Sequence, residues 1–228
     1  MKKKVLIIIG ILVLIIVAVV GLIVLNKEKE YTLDEVKELV EKGNVIPSNV
    51  FLNTEYFDKD GKSLGKVESY IKDKLKVTKQ YSGTNIVAEN YLNEETAELV
   101  TIIHKDKMIF IHSNYPVEDE INNEFLYSVS RNEKNENLGI YSYIGKEKVN
   151  NRKCIKVSLA DKDVTNNTEL VINYYIDEEN GRIIKIENLK DNVADMVLVN
   201  TYEDNAITDD KDMKFNKENY IDYTVAGE

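Results

Sequence analysis

GIYSYIGKEKVNNRKCIKVSLADKDVTNNTELVINYYIDEENGRIIKIE, from Gly139 to Glu187, is the stretch on which the fold turns. Runs rich in β-branched and aromatic residues alternate in it with turn formers. GIYSYIG (139–145), RKCIKVSL (152–159), ELVINYYI (169–176) and, reaching just past its end, RIIKIENL (182–189) read as strands. Asn150-Asn151 and Asn180-Gly181 stand between neighbours as turn signals. Consecutive strands linked by tight turns make an antiparallel meander rather than a parallel sheet.

The pattern continues on both sides. DMVLVNTY (195–202) follows; VFLNTEYF (50–57), KVESYIK (66–72) and LKVTKQY (75–81) precede. ELVTIIH (98–104) and MIFIH (108–112) form a hairpin around Lys105-Asp106-Lys107. A turn centred on Asp106 sets His104 opposite Met108 and His112 opposite Val100. About ten strands result. Several, such as LVTII and MIFI, are apolar on both faces, whereas a sheet buried on one side only should alternate cleanly. Helices or a ligand are therefore expected on the second face of part of the sheet.

Two helices are available for that. In YTLDEVKELVEKG (31–43), Thr32 and Glu35 form a capping box, Tyr31 and Val36 are spaced for a hydrophobic staple, and Gly43 is a natural stop. Pro47 blocks any continuation. Leu33, Val36, Leu39 and Val40 make one apolar face. After Pro116, VEDEINNEFLYSVSR (117–131) repeats Ile121, Phe125 and Val129 every fourth residue, with acids in its first turn.

The N-terminus carries a different signal. MKKK precedes Val5 to Leu25, a run with no polar side chain. As a helix it measures about 30 Å, the thickness of a bilayer's hydrocarbon core. No A-x-A pattern closes the run, and no cysteine follows it to accept a lipid, so an uncleaved signal anchor is expected rather than a cleaved leader. Lys2, Lys3 and Lys4 then stay in the cytoplasm. The expected organisation is a cytoplasmic tip (1–4), a transmembrane anchor (5–25), a linker (26–30) and an extracytoplasmic domain (31–228), with the chain a single-pass protein of the cell membrane.

Formal net charge is −10, and no basic cluster occurs after the first four residues. Nucleic-acid binding is excluded, since it requires a basic face. The same acidity argues against a domain lying on anionic headgroups. Cys154, the single cysteine, permits no intramolecular disulfide. It reads as a strand thiol with no activating histidine nearby in sequence.

DKDGKSLG (58–65) imitates three active sites at once, and each fails on context. A nucleophile elbow needs a strand before Ser63 and a helix after it, but here a turn precedes and a strand follows. A phosphate loop needs a glycine where Tyr56 stands. A calcium loop needs acids where Tyr56 and Val67 stand. The stretch reads as a hairpin turn. His104 and His112 read as ordinary strand histidines, and Asp209, Asp210 and Asp212 as a solvated acidic turn with Thr208 capping a short helix. No catalytic residue, metal or cofactor is expected.

Gly139 to Glu187 also resembles the second half of the LolA-like family, periplasmic carriers of lipoproteins and their exported relatives. The resemblance lies in Tyr143, Gly145, Glu147, Val149, Arg152, Lys156, Val157 and Leu159, then Tyr174 or Tyr175, Ile176, Asp177, Gly181, Ile183 and Lys185. DDKDMKF (209–215) is similar to the family's closing segment. The resemblance implies a half-barrel, a curved antiparallel sheet with helices across its concave face and an acyl-binding cavity between them. Including the anchor, the fold class is then α+β. The cavity would be lined by Leu33, Val36, Leu39, Val40, Ile121, Phe125 and Val129, which alternatively complete a closed core. Unlike a soluble carrier, an anchored relative cannot shuttle between membranes. Three functions stay open, in this order: an anchored domain binding an acyl chain, lipid or lipoprotein; an envelope sensory or protein-interaction module; a hydrolase built on Ser63.

Overall fold

The computed structural model describes residues 29–45, 47–116, 125, 126, 129, 140–163, 168–191, 193–216 and 218–225. Helix α1 (Leu33–Gly43) is followed by β1 (Asn49–Asp58), β2 (Ser63–Lys72), β3 (Leu75–Ser82), β4 (Asn85–Asn93), β5 (Glu98–Ile103) and β6 (Met108–His112). Then come β7 (Ile140–Val149), β8 (Arg152–Asp163), β9 (Thr168–Asp177), β10 (Ile183–Lys190), β11 (Val193–Asp204), a 3-10 turn at Lys211–Met213 and β12 (Ile221–Val225). They form one open curved sheet of twelve strands in the order β12-β6-β5-β4-β3-β2-β1-β11-β10-β9-β8-β7.

The meander expectation holds from β1 to β6 and from β7 to β11, with four corrections. Strand β4 joins the set. Strand β12 adds parallel to β6, whereas every other pair is antiparallel. The β5–β6 hairpin pairs Ile103 with Met108 and Leu99 with His112, one residue off the expected register. Lys107 takes a positive φ of 51°, which lengthens the turn and leaves His104 outside the ladder. Finally, the described residues are mostly β, an open curved sheet with one bounded helix, where an α+β fold with helices across the concave face is expected. Phe125, Leu126 and Val129 have helical backbone, as the 117–131 pattern requires. Ile121 and the Val5–Leu25 run lie outside the described residues. Among the described residues no helix is long and apolar enough to cross a membrane.

Register tells which side chains share a face, because directly paired residues point the same way. One row crosses seven strands: Lys156, Tyr175, Lys185, Val199, Glu55, Lys66 and Tyr81. At the β2–β6 end this face carries the buried cluster of Val77, Tyr91, Val100, Ile102 and Ile109. At the β8–β10 end the larger apolar set, Ile155, Val157, Tyr174, Ile176 and Ile186, lies on the opposite face. The two halves of one sheet therefore bury opposite sides. Residues 205–216 and 218–220 cover the first half, with Ile207, Met213, Phe215 and Tyr220 packed on its cluster.

Candidate ligand-binding interior

Helix α1 begins where Thr32 caps it. Glu35 N–H donates to Thr32 Oγ1 (3.3 Å) and Thr32 N–H donates to Glu35 Oε2 (3.0 Å), the reciprocal pair expected. Its far end meets the β9–β10 turn in backbone contact. A Cβ on Gly181 would lie 1.8 Å from the Leu39 carbonyl oxygen, and one on Gly43 would lie 2.3 Å from the Gly181 carbonyl carbon. Two glycines thus let helix and turn touch, and the φ of 75° at Gly181 suits glycine for a second reason.

That turn is itself braced. Asp177, almost fully buried, accepts from Glu179 N–H (3.0 Å) through Oδ1 and from Arg152 Nη1 (2.7 Å) through Oδ2. Gly181 N–H donates to the Asp177 carbonyl (2.9 Å). So Arg152, Asp177 and Gly181, three positions that carry the family resemblance, act together to seat α1.

Of the seven candidate cavity residues, Val36, Val40 and Phe125 are 0% exposed and Val129 is 2% exposed. Leu33 and Leu39 are half-buried. Phe125 sets its ring edge-on to Tyr174, with centroids 5.1 Å apart, on the apolar face of β8–β10. The Tyr141 hydroxyl, on the same face, is pushed up to about 12 by burial and by the nearby Tyr143 and Glu35.

The reverse face of β8–β10 sets charged side chains around a small buried cluster of Cys154, Tyr175 and Ile184. Lys156 and Lys185 sit over the two sides of the Tyr175 environment, each about 5 Å from the ring centroid (4.9 and 4.8 Å). Glu187 accepts from Tyr175 Oη (2.6 Å) and Lys185 Nζ (2.5 Å). Burial raises the Glu187 carboxyl, but these donors together bring it below its ordinary range. Cys154 is fully buried beside Tyr175 and Ile184, and burial pushes its thiol up to about 11, an inert rather than a nucleophilic sulfur.

The sequence's other candidates resolve simply. Asp58 Oδ1 accepts from Asp60 and Lys62 N–H groups (both 2.9 Å) and Gly61 has a φ of 75°, so DKDGKSLG is a hairpin turn with Ser63 exposed at the start of β2. His104 spends both ring nitrogens, on Glu89 Oε1 (2.8 Å) and on Tyr220 Oη (2.7 Å). Asp210 pairs with Lys72 (2.7 Å) and Asp212 with Lys79 (2.9 Å). The short helix there takes Asp210, not Thr208, at its cap position, with no side-chain cap bond. Among the described residues no three His, Cys, Asp or Glu side chains gather as a metal site would require.

Sequence reasoning missed Lys79, Glu89 and Glu68, charged residues set into the face beneath the C-terminal segment. Glu68 accepts from Lys66 (2.5 Å), Tyr81 (2.7 Å) and Tyr70 (2.9 Å). Their alternation with Tyr70, Val77, Tyr91 and Ile102 at period two was the available signal.

No protein-family model matches this sequence, and no curated protein matches it. Solved structures do. MucB in complex with MucA(peri) superposes with a TM-score of 0.51 at 9% identity, over 83% of this chain and 62% of that one. MucB alone gives a TM-score of 0.51 at 11% identity, over 82% and 64%. The chain has the LolA-like fold. It spans about three fifths of the length of MucB.

Proposed function

We propose that this protein is a membrane-anchored, extracytoplasmic, non-enzymatic LolA-like domain that binds an acyl chain, lipid or lipoprotein between α1 and β8–β10. The observation that carries the reading is the apolar face of Ile155, Val157, Tyr174, Ile176 and Ile186, met by Phe125 and bordered by helix α1. Helix α1 is seated at its C-terminal end by the Gly43–Gly181 contact, so a ligand would enter by displacement of its N-terminal end. The anchor at 5–25 keeps the domain at the membrane that supplies such ligands.

A second reading is an envelope protein-interaction module with a closed core. It is favoured by the complete burial of Val36, Val40 and Phe125 and by the MucA(peri) partner of MucB. Titration with a fluorescent fatty acid separates the two. Saturable uptake that Phe125→Asp and Leu39→Asp each reduce at least tenfold supports the first. No uptake by the folded domain leaves the second.

A further inference from the structure

The C-terminal segment, residues 205–225, is held on β2–β6 in the manner of a bound peptide. Asn49 receives it at both polar atoms of its side chain, donating to the Ile207 carbonyl (2.9 Å) and accepting from Ile207 N–H (3.0 Å). Ile207 and Met213 are then buried in the sheet face, and Phe215 packs on Tyr91 with centroids 5.1 Å apart. Asp210 and Asp212, one residue apart, reach Lys72 and Lys79 on neighbouring strands. Tyr220 closes on the His104–Glu89 pair. The segment ends as a strand added to the edge of β6.

Two features set this cover apart from an ordinary core. The face beneath it is charged: Lys79 and Glu89 are each only 9% exposed. A lysine in such a position is costly unless a carboxylate meets it, and the segment supplies that carboxylate. The fit is also loose. A groove of about 280 Å³ remains between the segment and Phe51 and Tyr70, and another of about 120 Å³ beside Met213 and Phe215. Strand β12 is short and parallel to its neighbour, with Ile221 56% and Tyr223 43% exposed. The ring of Tyr223 stacks on Phe110 with centroids 5.6 Å apart.

We propose that the β2–β6 face is a docking surface for an extended segment of a partner protein, and that residues 205–225 occupy it in cis until the partner displaces them. The segment that fits carries two acids one residue apart for Lys72 and Lys79, apolar anchors for the grooves, and an extended end that pairs with β6. This surface lies away from the α1 interior and requires neither an acyl ligand nor the anchor.

Hydrogen exchange on the full chain in detergent micelles, read by mass spectrometry, tests the displacement. Amides of β12 should exchange at least a hundredfold faster than those of β8–β10, because the segment opens without global unfolding. Equal rates would overturn the proposal and make the segment an integral part of the core. A labelled synthetic peptide of residues 205–225 tests the docking. It should bind Asp210→Asn/Asp212→Asn at least tenfold tighter than the unaltered chain, and lose that binding when Lys72→Gln and Lys79→Gln are added. A scrambled peptide binding equally well would overturn sequence-directed docking. So would a dimer of the Asp210→Asn/Asp212→Asn variant formed without peptide, which would assign the surface to exchange between copies.

Discussion

Gly181 and Gly61 have the same φ, 75°, yet the structure asks different things of them. A Cβ at Gly61 meets nothing within 4 Å, whereas one at Gly181 runs into the Leu39 carbonyl. Gly61→Ala should therefore cost about 1 kcal/mol, the backbone term alone. Gly181→Ala should cost about 3 kcal/mol, because helix and turn must also move apart. Urea denaturation of the two variants checks the difference. Cys154 gives a second residue-scale expectation. Its thiol is raised from 9.0 to about 11, so iodoacetamide at pH 8 should label it only after unfolding. Because the folded pKa is the higher one, the stability this thiol contributes is fully present below pH 9. It is lost as pH rises toward 11. A urea midpoint that did not fall faster over that window than in Cys154→Ala would contradict the assignment.

At the scale of elements, α1 and the β8–β10 hairpins were legible because their signals are local. Thr32 and Glu35 mark a helix start within four residues, and Asn180-Gly181 marks a turn within two. Thr32→Ala should cost about 1 kcal/mol in thermal or urea unfolding, through loss of the Oγ1 acceptor for the Glu35 N–H. Strand β4 was hidden because Glu89 sits among its buried positions, which breaks the apolar alternation until Tyr91 and His104 are known to meet it. Strand β12 was hidden because its partner β6 is remote in sequence and nothing in IDYTV names it. The slipped β5–β6 register came from Lys107, a residue type that gives no hint of a positive φ. For the candidate site, periodicity found Val36, Val40, Phe125 and Val129 as inward-facing positions. Whether they line a cavity or fill a core depends on shape complementarity, which no local pattern encodes.

Among the described residues, the twelve strands form one sheet whose two halves bury apolar side chains on opposite faces. That arrangement gives it two separable surfaces, an apolar interior under α1 and the charged face under residues 205–225. The proposed anchor predicts that the full chain, expressed in a bacterium, sediments with membranes at its uncleaved mass of 26.2 kDa. Recovery of a shortened, freely soluble form would mean that Val5 to Leu25 is a leader. The most direct measurement concerns the interior. Residues 29–228, expressed in a bacterial host without the apolar run and purified without detergent, should be weighed by native mass spectrometry before and after organic extraction. The account predicts an added mass of one lipid or acyl species that extraction removes and that Phe125→Asp fails to retain. A protein that carries no added mass, and takes up no added fatty-acyl probe while folded, would contradict it.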